Sequence, residues 1–166
     1  NRERVAELLG FSGTVENSID AVGNRDFVLE TAAALTLIAV NLSRLAEDLI
    51  VWSSPDFGIV ELPDGFALTS SIMPQKKNPD VLEVIRAKMS HVLGNFLTSA
   101  TTMKALPSSY NLDFQEITPR LWESLENIAE SLGMLSKLVA NLKVSKNVFS
   151  KPHLGFSAST ELANML

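Results

Sequence analysis

The hydrophobic positions of this chain fall into three long stretches, and each stretch predicts a helix. The first covers about residues 25–52, and residues 32–40 within it are apolar on every face of a helix. In the second stretch (79–104) and the third (about 113–142), leucine, isoleucine and valine recur at steps of three and four. Short polar segments separate the three. The pattern therefore predicts an all-α fold of long antiparallel helices.

Polar residues at the ends of these stretches set the expected helix boundaries. Asn24 is a suitable N-cap for the first long helix. Asn78-Pro79-Asp80 offers a cap, a first-position proline and an acidic first turn for the second. The third helix begins near Asp113 or at Thr118-Pro119, where the helix start signal is stronger. All three helices thus carry start signals of their own.

Two shorter patterns lie outside the long helices. Residues 59–62 and 66–68 are β-like runs on either side of Pro63-Asp64-Gly65, a turn signal, and they predict one short β-hairpin. Residues 11–23 are polar and predict a loop, in which residues 17–21 have the composition of a turn. The hairpin leads directly into a second polar segment, which carries the candidate chemistry.

The first long helix is more apolar than a chain of this size can cover by itself. A membrane span needs roughly 20 predominantly apolar residues, and the run here is shorter and is interrupted by Thr31, Thr36 and Asn41. We therefore expect no membrane span. A helix that is apolar all round is otherwise a buried one, so we infer that partner subunits cover its outer faces in an oligomer.

Composition narrows the function classes. The chain has 166 residues and a formal net charge of −5, which argues against a nucleic-acid-binding protein. It contains no cysteine, which removes thiolate chemistry and fits a cytoplasmic location. It contains two histidines, too few for a His-rich metal site.

Both ends of the sequence resemble interrupted helices, so we expect this chain to be a segment of a longer protein. Residues 1–144 predict one helical-bundle domain that is incomplete on its N-terminal side. Residues 145–166 contain Pro152 and Gly155 among several serines, and they predict a linker followed by the start of a C-terminal helical domain.

The polar loop, residues 69–79, places two serines, two lysines and two amides on an otherwise apolar scaffold. A serine without a neighbouring histidine is a poor base unless cations and N–H groups stabilise its alkoxide. Lys76 and Lys77 supply cations, and the helix that follows the loop supplies N–H donors. The same groups would bind a substrate carboxylate and the charge that develops on it. Ser70 is therefore the candidate base.

Other polar residues allow both a structural and a functional interpretation. Asn78 can donate to a bound anion or cap the helix, and its spacing favours the cap. Glu83 can offset the helix dipole, with Arg86 as an ion-pair partner, or orient a catalytic histidine. His91 and His153 have no carboxylate at loop spacing, so we interpret both as structural or surface residues.

The polar loop resembles the signature loop of the fumarase/aspartase superfamily. The run Met73-Pro74-Gln75-Lys76-Lys77-Asn78-Pro79-Asp80 is similar to argininosuccinate lyases in particular. The same narrower resemblance is present, in order along the chain, in four further stretches: residues 17–21, 25–27, 45–49 and 106–116. The resemblance therefore extends over nearly the whole sequence, and it implies the central helical bundle of that superfamily.

The resemblance implies reversible cleavage of argininosuccinate to arginine and fumarate by a homotetramer that uses neither a metal nor a cofactor. Its implied catalytic set is Ser70 as the base, Lys76 and Asn78 on the substrate carboxylate, and Glu83 paired with a histidine. Its implied substrate-binding set is Asn78, Ser71, Tyr110, Gln115 and Arg25. In this superfamily three subunits build each active site and the general-acid histidine lies upstream, so we expect this segment alone to be inactive. The loop would close as a lid, with residues 63–65 as its hinge.

Two positions depart from the family pattern, and three alternative functions stay open. Thr69 stands where the family usually has glycine, and Thr118 stands where many relatives have a substrate-contacting lysine that Arg120 would have to replace. The alternatives are another fumarate-releasing lyase of the adenylosuccinate lyase kind, a crystallin-like structural oligomer without activity, and a bare helical assembly module. The intact Ser70, Lys76 and Asn78 argue against the crystallin-like oligomer, and a bare assembly module would leave the polar loop without a role.

Overall fold

The computed structural model describes residues 1–69, 72–73, 77–146 and 159–165. The helices of these ranges are α1 (Arg2–Leu9), α2 (Ser18–Gly23), α3 (Asp26–Ser53), α4 (Asp80–Met103), α5 (Phe114–Ala140) and α6 (Ser159–Met165). The two-residue strands are β1 (Val60–Glu61), β2 (Leu68–Thr69), β3 (Lys77–Asn78) and β4 (Lys143–Val144), and a 3₁₀ turn covers Asp64–Phe66. The predicted all-α fold class is confirmed.

The three long helices pack side by side and run antiparallel. Arg86 near the start of α4 pairs with Glu47 near the end of α3. Lys88 of α4 pairs with Glu130 of α5 at 2.7 Å, and further along α4 the buried Asn95 donates to Ser124, earlier in α5. The core between the helices is aliphatic, and its most deeply buried members are Ala39, Ala46, Leu82, Val92 and Leu138.

Helix α3 buries one face and exposes another that is also apolar. Its seven buried residues recur at steps of three and four: Val28, Ala32, Leu35, Ala39, Leu42, Ala46 and Leu49. On the other side Phe27 and Leu37 are each about two-thirds exposed, at 65% and 67%. By length and composition alone, residues 18–53 are apolar enough to cross a membrane, a test that the core helices of soluble proteins also pass. The absence of a membrane span stays a prediction.

The predicted hairpin is wrong in its strand partners. Residues 59–62 and 66–68 do not pair with each other. Instead β1 pairs with β4, with Val60 opposite Val144. The turn signal at residues 63–65 is used by a 3₁₀ turn that begins at Asp64, and the strand after it, β2, pairs with β3. β1 thus pairs with a strand that follows α5, while β2 and β3 form a separate local pair on either side of the polar loop.

Helix starts differ from the sequence predictions in detail. α3 begins at Asp26, with Arg25 in the cap position, yet the Asn24 side chain still accepts from the Asp26 N–H at 2.8 Å. Residues 17–21, predicted to be a turn, instead begin a short helix that Asn17 caps by accepting from two N–H groups. An asparagine that closes a turn and one that caps a helix make the same type of bond, so composition could not separate them.

Helix α5 begins at Phe114, as the Asp113 alternative predicted. The Thr118-Pro119 start is wrong, because Pro119 lies inside the helix. It occupies the sixth helical position, where the missing N–H removes only the bond to the carbonyl of Gln115 in the first turn. A proline so close to a helix start is tolerated, and Arg120 therefore follows on a continuous helix.

Candidate active site

The polar loop has a root of its own, formed by β2 and β3. In this antiparallel pair Leu68 lies opposite Asn78, and Thr69 lies opposite Lys77. Between the two strands the structure describes Ile72 and Met73, both exposed. The predicted site residues Ser70, Ser71 and Lys76 lie outside the described residues. What the structure shows is therefore how the two ends of the loop are held.

Lys77 holds the C-terminal end of the loop. Its ammonium nitrogen lies 2.5 Å from a carboxylate oxygen of Asp64 and 3.9 Å from one of Glu61. The hydrogen bond and charge of Asp64 raise the pKa of Lys77, and the hydrogen bond and charge of Lys77 lower the pKa of Asp64. Since two carboxylates already neutralise Lys77, we assign its cation to the loop root and not to a bound anion.

Asp80 holds the other end of the loop. Its carboxylate accepts a hydrogen bond from the backbone N–H of Leu68 at 2.7 Å. Asp80, which follows β3 and Pro79, is thereby tied to β2. Lys77 of β3 is tied to Asp64, which precedes β2. Both tethers connect the segment before the loop with the segment after it, and they limit how far β2 and β3 can move apart.

Asn78 lies in β3 and does not cap α4. The helix begins at Asp80, with Pro79 in the cap position and no side-chain capping bond. In the part of the chain that the structure describes, the half-buried Asn78 makes no side-chain hydrogen bond to this helix. The cap interpretation, which its spacing favoured, is therefore wrong, and its amide stays available for the functional role.

Glu83 lies exposed in the first turn of α4. The predicted ion pair with Arg86 is wrong, because Arg86 pairs with Glu47 of α3. His91 is exposed two turns further along, roughly 12 Å away at 1.5 Å per residue, which is too far for a contact. His153 lies outside the described residues. Any histidine that Glu83 orients must therefore come from outside the described part of this chain.

A second group of predicted residues meets at the other end of α4, around Phe114. The guanidinium carbon of Arg25 lies 4.4 Å from the centroid of the Phe114 ring. Tyr110 meets the same ring edge-to-face, with centroids 5.7 Å apart and planes at 88°. The amide nitrogen of Gln115 lies 3.5 Å from the Tyr110 hydroxyl. The structure thus brings Arg25, Tyr110 and Gln115 together, although 90 residues separate Arg25 from Gln115 in sequence.

The loop that carries Tyr110 is pressed against the end of α2. Ser109 has a left-handed backbone, with φ of 75°, a conformation rare outside glycine. A Cβ on Gly23 would lie only 3.0 Å from the backbone N and O of Ser109. Beside this contact is a polar pocket of about 360 Å³, lined among others by Asn17, Arg25 and Ser108. Strained backbone and close approach of this kind are typical of functional sites.

The two groups of site residues lie at opposite ends of α4. Asn78 and Glu83 are at its start, and the cluster around Phe114 follows its end at Met103. A helix of 24 residues is roughly 36 Å long. A substrate the size of an amino-acid adduct cannot span that distance. Both groups can act on one substrate only if they belong to different subunits.

Sequence reasoning missed Asp64, Asp80 and Phe114 as parts of the site. The acidic residue in the Pro-Asp-Gly turn and the aspartate at the start of α4 were interpreted as turn and dipole residues. Phe114 looked like any core aromatic, and its sequence neighbours Tyr110 and Gln115, at spacings of four and one, were the only signal. Within the described ranges no group of three or more His, Asp or Glu side chains is placed to hold a metal ion.

Comparisons with known proteins identify the family of this chain. A family model described as lyase matches residues 1–94. Argininosuccinate lyase of Methanothermobacter thermautotrophicus is 47% identical over the whole chain, which spans 36% of that relative's length. The crystal structure of an EDDS lyase in complex with formate superimposes with a TM-score of 0.81 at 34% identity, covering all of this chain and 33% of that one. A variant EDDS lyase with bound fumarate gives 0.80 at 32% identity, covering 99% and 33%.

Proposed function

Because this chain belongs to the lyase family, we propose that the protein containing it cleaves argininosuccinate reversibly to arginine and fumarate. The observation that carries the proposal is the intact polar loop in a chain whose full length matches argininosuccinate lyases at 47% identity. The chain spans about a third of the length of such relatives, so the activity belongs to the longer protein.

The proposed chemistry is a β-elimination. Ser70 takes a proton from the succinyl carbon next to a carboxylate, and the electrons of the C–H bond form the double bond of fumarate. The bond between carbon and the guanidino nitrogen breaks, and that nitrogen takes a proton from a general acid outside this chain and leaves as arginine. Lys76 and Asn78 hold the carboxylate on which charge accumulates, and this electrostatic stabilisation lowers the barrier.

The loop root supports this assignment. β2 pairs with β3, which directly precedes the start of α4, where helix N–H groups favour an anion. Two cross-tethers from Asp64 and Asp80 limit how the loop ends move. A loop whose two flanking strands are held together in this way suits a lid that closes over substrate. The Asp64 turn is the fixed point from which such a closure would start.

We further propose that the protein is a homotetramer with shared active sites. The roughly 36 Å between the two residue groups requires a second subunit if both contact one substrate. Apolar residues on the outer faces of all three long helices support such an assembly, among them Leu37, Leu97 and Trp122, each at least 60% exposed. We place the enzyme in the cytoplasm and in arginine biosynthesis, with residues 145–166 linking the bundle to a C-terminal helical domain.

The test is whether the full-length protein releases fumarate, which is monitored by the ultraviolet absorbance of fumarate. We expect release from argininosuccinate and none from adenylosuccinate. Release from adenylosuccinate alone would favour the other superfamily activity, and release from neither would favour a structural oligomer. A Ser70→Ala variant should lose about two to four orders of magnitude in kcat, the usual contribution of a positioned base. Wild-type rates in that variant would remove Ser70 from the mechanism.

A further inference from the structure

The guanidinium of Arg25 is already engaged within this chain. Its Nη1 donates to the backbone carbonyl of Asn24 at 2.7 Å and to that of Val22 at 3.0 Å. Its carbon lies over the Phe114 ring at 4.4 Å from the centroid. One face of the guanidinium therefore covers an aromatic ring, and one terminal nitrogen is used by the backbone at the corner between α2 and α3.

Phe114 passes this constraint on to Tyr110. The Phe114 ring is 5% exposed and packs in a small cluster with Val28 and Ile117. Its edge-to-face contact with Tyr110 is the favoured geometry for two aromatic rings. Tyr110 itself is 55% exposed and lies in a loop between helices. The buried Phe114 ring thus contacts both the guanidinium of Arg25 and the exposed ring of Tyr110.

We propose that Arg25 and Phe114 are positioning residues that hold Tyr110 in its substrate-binding orientation, and that Arg25 itself does not bind substrate. This rests on the proposed function in one respect, the assignment of Tyr110 as a substrate contact. The order of action is Arg25 on Phe114, and Phe114 on Tyr110. Small errors in the placement of a binding group reduce catalysis strongly. Arg25 and Phe114 therefore affect catalysis without contacting substrate, because they keep the Tyr110 ring in place.

A double-mutant cycle on the full-length enzyme separates this proposal from direct binding. Phe114→Leu removes the ring and keeps an apolar side chain, and Arg25→Met removes the cation and keeps the length. We expect each to lower kcat/KM about three- to tenfold, from the ordinary strength of aromatic and cation–π contacts. If Arg25 acts through Phe114, kcat/KM of the double variant falls hardly below that of Phe114→Leu alone. Losses that multiply would overturn the proposal.

The matched control is Ile117→Val, which removes one methyl group from the same buried cluster and leaves both aromatic side chains intact. It should leave kcat/KM within about twofold of wild type, because it costs only stability. A loss in this variant equal to that of Phe114→Leu would mean that any damage to the cluster lowers activity, and would contradict a specific role of the ring.

A second readout does not depend on turnover. The enzyme is labelled with 3-fluorotyrosine, and the Tyr110 resonance is assigned by its disappearance in Tyr110→Phe. We expect the resonance to move in Arg25→Met and Phe114→Leu and to stay in place in Ile117→Val. An unmoved resonance in Arg25→Met, with activity lost, would assign Arg25 to substrate binding and overturn the proposal.

The two readouts also keep this inference distinct from the proposed function. If the wild-type protein releases no fumarate from argininosuccinate, the proposed function fails, while the Tyr110 resonance still decides whether Arg25 and Phe114 position the ring. If Phe114→Leu does not fold, Arg25→Met provides both the kinetic and the spectroscopic result.

Discussion

The ammonium of Lys77 and the carboxylate of Asp64 form an ion pair, 2.5 Å apart, that ties the end of the polar loop to the turn before it. Neither residue belongs to the predicted catalytic set. Both side chains are largely accessible to solvent, at 45% and 87%, so the pair contributes little to global stability. Its effect is local, because it connects the turn before β2 with β3, the strand that follows the polar loop.

Asp64→Asn should loosen the loop root without unfolding the protein. We expect faster amide exchange in residues 66–69 and 77–80 of the full-length protein, and unchanged exchange in the middle of α4. Glu126→Gln, which removes the same charge from an exposed position on α5, is the matched control and should leave the loop root as it is. Equal exchange in Asp64→Asn and wild type would show that the β2–β3 pair holds the loop by itself.

The same ion pair has a defined pH window. The fold lowers the pKa of Asp64 from 3.8, so its contribution is present above that value and is lost as the pH falls through the lower folded pKa. The fold raises the pKa of Lys77 from 10.5, so its contribution is present below that value and is lost as the pH rises through the folded pKa. The ratio of the amide protection factors of wild type and Asp64→Asn should therefore be constant across neutral pH and should approach one in strong acid.

Two buried serines on α5 should respond in opposite directions to alanine substitution. Ser124 donates to the Arg120 carbonyl at 2.8 Å and accepts from the Asn95 amide. The hydroxyl of Ser131, on the same buried face, has no hydrogen-bond partner among the described residues. Ser124→Ala should therefore lower the free energy of unfolding by about 1–3 kcal/mol, and Ser131→Ala should leave it unchanged or raise it by about 1 kcal/mol. Urea denaturation measures both, and equal losses would contradict the hydrogen-bond assignment.

Gly23 should not tolerate a side chain. A Cβ there would lie 3.0 Å from the backbone of Ser109, so Gly23→Ala should destabilise the protein by about 1–3 kcal/mol through overpacking. The displaced loop carries Tyr110, so KM for argininosuccinate should rise as well. Gly133→Ala on α5, where an added Cβ meets nothing within 4 Å, is the control and should stabilise the helix by about 0.5–1 kcal/mol. An unchanged KM in Gly23→Ala would separate the α2 corner from the site.

The sequence predicted the long helices closely because a 3.6-residue apolar period depends on local order alone. It could not predict the strand partners. Val60 pairs with Val144, 84 positions later, and no local pattern encodes such a contact. Asn78 carried a strong cap signal, yet its strand pairing with Leu68 moved the helix start to Asp80. Tertiary pairing outweighed the local preference at this position.

The candidate site residues came from motif and resemblance, but their grouping in the fold could not be predicted. Arg25, Tyr110 and Gln115 came from separate stretches, and the buried ring that joins them, Phe114, has the pattern of an ordinary core residue. The separation of this cluster from Asn78 and Glu83 by the length of α4 also required the structure. Because of that separation, the two groups can contact one substrate only if they belong to different subunits.

The central claim is that one active site combines the polar loop of one subunit with the Tyr110 cluster of another, and mixing two inactive variants tests it directly. Full-length Ser70→Ala and Tyr110→Ala proteins are purified separately, mixed, and allowed to exchange subunits in mild urea that is then removed. Hybrids contain sites with an intact Ser70 from one subunit and an intact Tyr110 from its neighbour. We predict that fumarate release from argininosuccinate returns in the hybrids. Hybrids that form, as shown by two different affinity tags, yet stay inactive would contradict the shared site.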